Sequence, residues 1–441
     1  MTLAAVATGV GLLLSGCAVP ANDGSSASDW EGKTLSVLWA IDSRYPQEQR
    51  GWFADVSARF EAETGAKVKF ETYSSANDEL TRIQTAVISG QGPDVYSIGT
   101  TFTPTASATG AFKQLGEEEW ERVGGRDRFL PATFGMSGPD TDHEVGVPFA
   151  TRPYVAAYNT RLFAEAGIDA PATNWDGLKE QAEKLTTGGV HGLAIAYADS
   201  YDPWKFIWAQ SVQSGVDLLD LTTTTAHLDD PAVQTAYENY FSWYTDGLAA
   251  PESIGWTSAQ ALASFAAGES AYMPMTSSYS SATLDASAVA DEYAYVTMPT
   301  IPPGQKTTTG VAATSMISGD NLVVADYSRQ QNLSFAFIEF MTRPAEQVHY
   351  FEVFGQLPTS ADGAAQIEEQ HPELAPLIES AAGSVGTPFT GAWSETQLAV
   401  TEVVVQSIPD MSRGSVGAAA IAKRLETAQR SAQAALDKAK H

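Results

Sequence analysis

TLSVLW at Thr34–Trp39, GWFADVSARFEAE at Gly51–Glu63, AKVKFETY at Ala66–Tyr73, NDELTRIQTAVISG at Asn77–Gly90 and DVYSI at Asp94–Ile98 follow one another along the chain. The first segment alternates Leu35, Val37 and Trp39, and the third alternates Val68 and Phe70, which is strand periodicity. The second sets Trp52, Val56 and Phe60 four apart, a helical stripe closed by Gly65. Asn77 is placed to cap a helix carrying Leu80, Ile83 and Val87, which Gly90 and Gly92-Pro93 stop. Asp94–Ile98 reads as a third strand. Strand and helix in alternation predict a parallel α/β sheet.

The pattern restarts downstream. Val155–Tyr158 and Gly192–Tyr197 read as strands around helical material at Leu178–Leu185. Pro203 opens a helix through Ser214, with Asp202 as its expected cap. Gln234–Thr245, Ser258–Ala267 and Leu333–Met341 are helical; Ala271–Met275, Asp291–Thr300 and Asn321–Ala325 are extended. Ile421, Leu425, Ala428, Ala432 and Leu436 share one face of a last helix. Two α/β lobes are the simplest architecture.

The front end differs from this body. An apolar run from Leu3 to Leu14 falls short of the ~20 residues that span a bilayer but fits the apolar part of an export signal. Leu14-Ser15-Gly16-Cys17 follows it and looks like a bacterial lipobox, in which Cys17, the sole cysteine, carries the lipid. The small and polar stretch Ala18–Asp29 cannot bury a core, and as a tether it averages roughly 20 Å end to end. Without further cysteines the body must be held by packing.

Among 441 residues, 53 are acidic and 25 basic, a net charge of −28. This composition disfavours nucleic acid and anionic lipid surfaces as partners, since both require clustered Lys and Arg. No serine-hydrolase elbow, zinc-binding HExxH, CxxC, P-loop or dinucleotide turn occurs, and neither a cofactor nor a metal is implied. Asp140–Glu144 resembles the start of a calcium loop but lacks its glycine and distal glutamate, so it reads as a solvated acidic loop.

Ligands of open α/β sheets sit beyond the carboxyl ends of the strands. That rule selects Trp39, Asp42, Arg44 and Tyr45 after the first strand, Ser74, Ser75 and Asn77 after the second, and Thr100, Thr101 and Phe102 after the third. In the second lobe it selects Tyr201, Asp202 and Trp204. Flat aromatics beside Asp, Asn, Thr and Arg suit a polyol or sugar, whose C–H face stacks while its hydroxyls hydrogen-bond. Trp39 equally suits a core position. Trp204 and Trp208, one turn apart, equally suit helix packing.

Several segments together resemble the extracellular solute-binding proteins of ABC importers, family 1, in the sugar-binding branch related to maltose-binding protein. They are Phe53–Val68 with its Phe-Glu-x-x-Thr-Gly turn, Ser89–Val95 (SGQGPDV), Gly146–Phe149, Ala157–Phe163, Ala166–Ile168 and Phe265–Met273. Asn174 and Gly177 depart from the family's pattern and read as a turn variant. The resemblance implies a two-lobed periplasmic-binding-protein-like (type II) α/β fold with a hinge and an inter-lobe cleft. It places crossings near Gly146–Ala150, Tyr293–Thr300 and Phe354–Ser360. One lobe then takes 33–147 plus 300–354, and the other 150–295 plus 360–441, after a signal at 1–17 and a tether at 18–32.

By the same resemblance Arg152, Tyr279 and Trp393 join the cleft candidates. The implied function is capture of a mono- or oligosaccharide and its delivery to the importer's membrane permease, without turnover, by a monomer lipid-anchored outside the cytoplasm. An anionic solute such as a polyol phosphate or uronate is the alternative, resting on Arg44 and Arg152. A secreted hydrolase with paired carboxylates is a third reading.

Overall fold

A computed structural model describes residues 30–42, 45–74, 76–140, 142–199, 202–301 and 315–439. Cys17 and Arg44 lie outside the described residues, as does the side chain of Asn77. Two principal sheets organise the chain. The first has six strands in the order Leu357–Pro358, Val147–Pro153, Ile317–Val324, Val95–Gly99, Thr34–Ala40, Lys67–Tyr73. Thr34–Ala40 runs parallel to both Lys67–Tyr73 and Val95–Gly99, as the alternating pattern predicts. Ile317–Val324 is antiparallel to its two neighbours, so the sheet as a whole is mixed. The second sheet has four strands, in the order Tyr293–Val296, Val155–Asn159, Ser270–Thr276, His191–Leu193.

Each sheet is covered by helices whose stripes are legible in sequence. Helix Pro46–Thr64 buries Trp52, Val56 and Phe60 and ends on Gly65, whose φ of 75° is the left-handed turn that a glycine adopts most readily. Trp39, Trp52, Phe60, Phe149 and Phe337 share one core on that sheet. Helix Ala418–Ala439 buries Ile421, Leu425, Ala428, Ala432 and Leu436, and with Trp393–Met411 it completes the core of the second sheet. Asn174 caps helix Trp175–Leu185 by accepting from the Gly177 N–H at 2.9 Å, so the departure from the family pattern is a local N-cap.

Two expectations change. The segment read as one strand at Gly192–Tyr197 pairs as a strand only over His191–Leu193. Beyond it, the Tyr197 and Ala198 N–H groups bond to the Ser253 and Trp256 carbonyls of a turn instead. The loop Asp140–Glu144 is not wholly solvated, because Glu144 is buried and takes two bonds, at 2.8 and 3.0 Å, from Arg126. The chain passes between sheets at Tyr154, since Val147–Pro153 lies entirely in the first sheet and Val155–Asn159 in the second.

Backbones approach most closely beside that passage. A side-chain carbon on Gly319 would lie 2.1 Å from the Ala150 carbonyl oxygen of the adjacent strand. Gly319→Ala therefore has to displace one strand, and a loss of about 2–3 kcal/mol is expected in urea denaturation. Wild-type stability in that variant would show that the strands can part.

Candidate functional site

The carboxyl ends of the three parallel strands converge on an open pocket of about 350 Å3. Trp39, Ile41 and Asp42 reach it from the first strand, Tyr73 from the second, and Ser97 and Gly99 from the third. Arg152, Asp320, Gln356, Tyr350 and Phe354 close its other side. Trp39 belongs to pocket and core at once. It is 3% exposed and packs edge-on against Phe149 and Tyr350, at centroid distances of 5.4 and 6.3 Å.

The arginine at the pocket is already paired. The Arg152 guanidinium donates to Asp320 Oδ2 at 2.9 Å, to Gly319 O at 3.0 Å and to Gln356 Oε1. On the second sheet's side, Lys205 Nζ donates to Asp202 Oδ1 at 2.6 Å and lies 4.6 Å from the Tyr154 ring centroid. Burial works against the charge on Lys205, but Asp202 holds its pKa above the ordinary lysine value. Behind Tyr73, Glu79 is 2% exposed and interacts with the Tyr73 side chain, while its Oε1 has no hydrogen-bond partner. Burial pushes the Glu79 carboxyl up to about 8, so it is largely protonated at neutral pH.

The other predicted residues are dispersed. Thr100 is buried, and its hydroxyl accepts the Gly319 N–H at 2.9 Å, which knits two strands together. Asp202 does not cap its helix through its side chain; it pairs with Lys205 one turn on. Trp204 and Trp393 are 3% and 0% exposed and form a T-shaped pair, centroids 5.6 Å apart, inside the second sheet's core. Both indole N–H groups lack a partner there. Tyr45 bridges the two halves, its hydroxyl donating to the Tyr279 carbonyl at 3.4 Å. Thr105 and Ser394 hydroxyls meet at 3.1 Å in a second such contact.

The strand-end rule passed over Tyr73, although Tyr73 closes the second strand and the rule applies to it. Asp320 and Gln356 come from crossing strands, where no rule based on parallel strand ends could point. Lys205 had a signal in its spacing, three residues after Asp202 on a helix.

The family model for bacterial extracellular solute-binding proteins matches residues 45–348. The chain belongs to this family. Among curated relatives, the solute-binding protein resembles the diacetylchitobiose binding protein DasA of Streptomyces coelicolor, at 28% identity over 71% of this chain and 70% of that one. Its fold matches the sugar-binding protein MalE of Xanthomonas citri with a TM-score of 0.76 at 16% identity, covering 92% of this chain and 98% of that chain. It also matches a tagatose-bound solute-binding protein of Thermotoga lettingae, with a TM-score of 0.74 at 19% identity, covering 92% and 100%. The two-lobed solute-binding architecture follows. Family membership places the protein's work outside the cytoplasm, in ABC transport.

Glu79 generates a prediction about pH. Its folded pKa of about 8 exceeds the ordinary 4.5, so between those values the unfolded chain has released a proton that the folded chain retains. Stability therefore falls as pH rises through this window, by up to about 4 kcal/mol from this one group. Urea denaturation at pH 5 and pH 8 is expected to show Glu79→Gln losing less stability than wild type over that step. An equal loss in both proteins would contradict the buried, neutral carboxyl.

Proposed function

We propose that this solute-binding protein captures an uncharged mono- or oligosaccharide between its lobes and delivers it to an ABC importer's membrane permease, without making or breaking a bond. The observation that carries the reading is a pocket whose arginine, Arg152, already has a carboxylate in Asp320, and which Trp39, Tyr73 and Tyr350 also line. A cation already paired with a carboxylate contributes little net attraction for an anion. The ion pair on Arg152 thus removes the support that this arginine lent to a phosphate or uronate. A relative named as a diacetylchitobiose binding protein and a sugar-binding structural neighbour support the same class of ligand.

Each lobe is built around one sheet, and ligand held by both stabilises the closed arrangement by its differential affinity for it. The sequence Leu14-Ser15-Gly16-Cys17 supports a lipid on Cys17 that anchors a monomer at the membrane surface. No helix among the described residues is long and apolar enough to cross a membrane.

Thermal shift and calorimetry against diacetylchitobiose, maltose, monosaccharides, sugar phosphates and uronates test the reading. A neutral sugar at a hundred times its dissociation constant is expected to add about 2.7 kcal/mol of stability and to be recovered intact. Binding confined to the phosphates or uronates, or release of new reducing ends, would overturn it.

A further inference from the structure

Arg152 has a role that contact with a sugar does not explain. Its strand, Val147–Pro153, lies between Ile317–Val324 and Leu357–Pro358 at one edge of the first sheet. The chain leaves this edge for the second sheet directly after Pro153, and it returns to it at Ile317. Arg152 reaches both neighbours. Nη1 donates to Asp320 Oδ2 and to Gln356 Oε1, while Nη2 donates to Gly319 O and, at 3.3 Å, to Asp320 Oδ1. A guanidinium carries four N–H groups on its terminal nitrogens, and these four bonds engage all of them. Little donor capacity is left for a hydroxyl in the pocket.

We propose that Arg152 is a positioning residue, a clamp on the three adjacent strands at the hinge that sets ligand affinity through the balance of open and closed lobes. Asp320 and Gln356 are its two anchors. The next residue extends the clamp toward the second lobe: Tyr154 lies under the Lys205 ammonium, and its N–H bonds to Met316 O at 3.0 Å on the returning chain. With the clamp intact, the strands hold the geometry in which Tyr45 meets Tyr279 and Thr105 meets Ser394. Without it, that edge bends more freely and the lobes visit wider separations. A ligand that needs the closed arrangement then binds more weakly, in proportion to the lost closed fraction.

The affinity arm rests on the carbohydrate reading; the conformational arm does not, because it needs no ligand. The experiment measures lobe-to-lobe distance by energy transfer between dyes on the two lobes of the unliganded protein, for wild type, Arg152→Met, Arg152→Lys and Gln356→Ala. Arg152→Met leaves Asp320 unpaired and risks misfolding, so Gln356→Ala, which keeps the ion pair, decides the matter in that event. The expected result is a broader distribution with a longer mean in every folded variant. A loss of sugar affinity of about tenfold accompanies it for Arg152→Met, with the order of preference among sugars unchanged. Folded variants with the wild-type distribution would overturn the clamp. Loss of affinity at unchanged lobe separation would instead make Arg152 a ligand contact. If no sugar binds the wild type at all, the carbohydrate reading fails while the distance distributions still judge the clamp.

Discussion

The structure depends on the adjacency of three strands at one edge of the first sheet, Leu357–Pro358, Val147–Pro153 and Ile317–Val324. Neighbouring strands cannot slide independently without breaking their ladder, so relative motion of the lobes is channelled into a bend across this edge. Alternation of side chains gives the edge two characters. Arg152, Asp320 and Gln356 line the polar pocket at the strand ends, whereas Thr151, Ile317 and Leu357 line an apolar pocket of about 300 Å3 on the opposite face. One face is held by directed bonds and the other by non-directional packing.

Buried charge follows the same economy of partners. Arg152 with Asp320, Lys205 with Asp202 and Arg126 with Glu144 are each neutralised locally, as burial requires. Glu79 is the exception, lacking a cation and answering with protonation. The chain as a whole carries a net charge of −28. A charge of that size bears on solubility.

Legibility followed the range of the interaction that decides each feature. Helix Pro46–Thr64 was readable because Trp52, Val56 and Phe60 repeat at helical spacing, and the parallel strands because their apolar residues alternate. The strand ending near Leu193 was overestimated because Ala194–Tyr197 is as apolar as a strand, yet after Ala194 bonds to Tyr272 the chain leaves the sheet and the Tyr197 N–H turns to the Ser253 carbonyl. Trp39 and Asp42, selected by the strand-end rule, and Arg152, selected by the family resemblance, line one pocket. Trp204 and Trp393 follow the residue types of a sugar platform, yet they meet each other inside a core. An aromatic side chain serves either purpose, and nothing local distinguishes them.

By itself the sequence determined the periodicities, the turns and the types of side chain available at strand ends, because neighbours within a few residues set those. Only the tertiary structure decided that Arg152 would spend its donors on Asp320, Gly319 and Gln356, residues far away along the chain. It alone made Glu79 neutral, since desolvation depends on everything packed around a group rather than on what precedes or follows it.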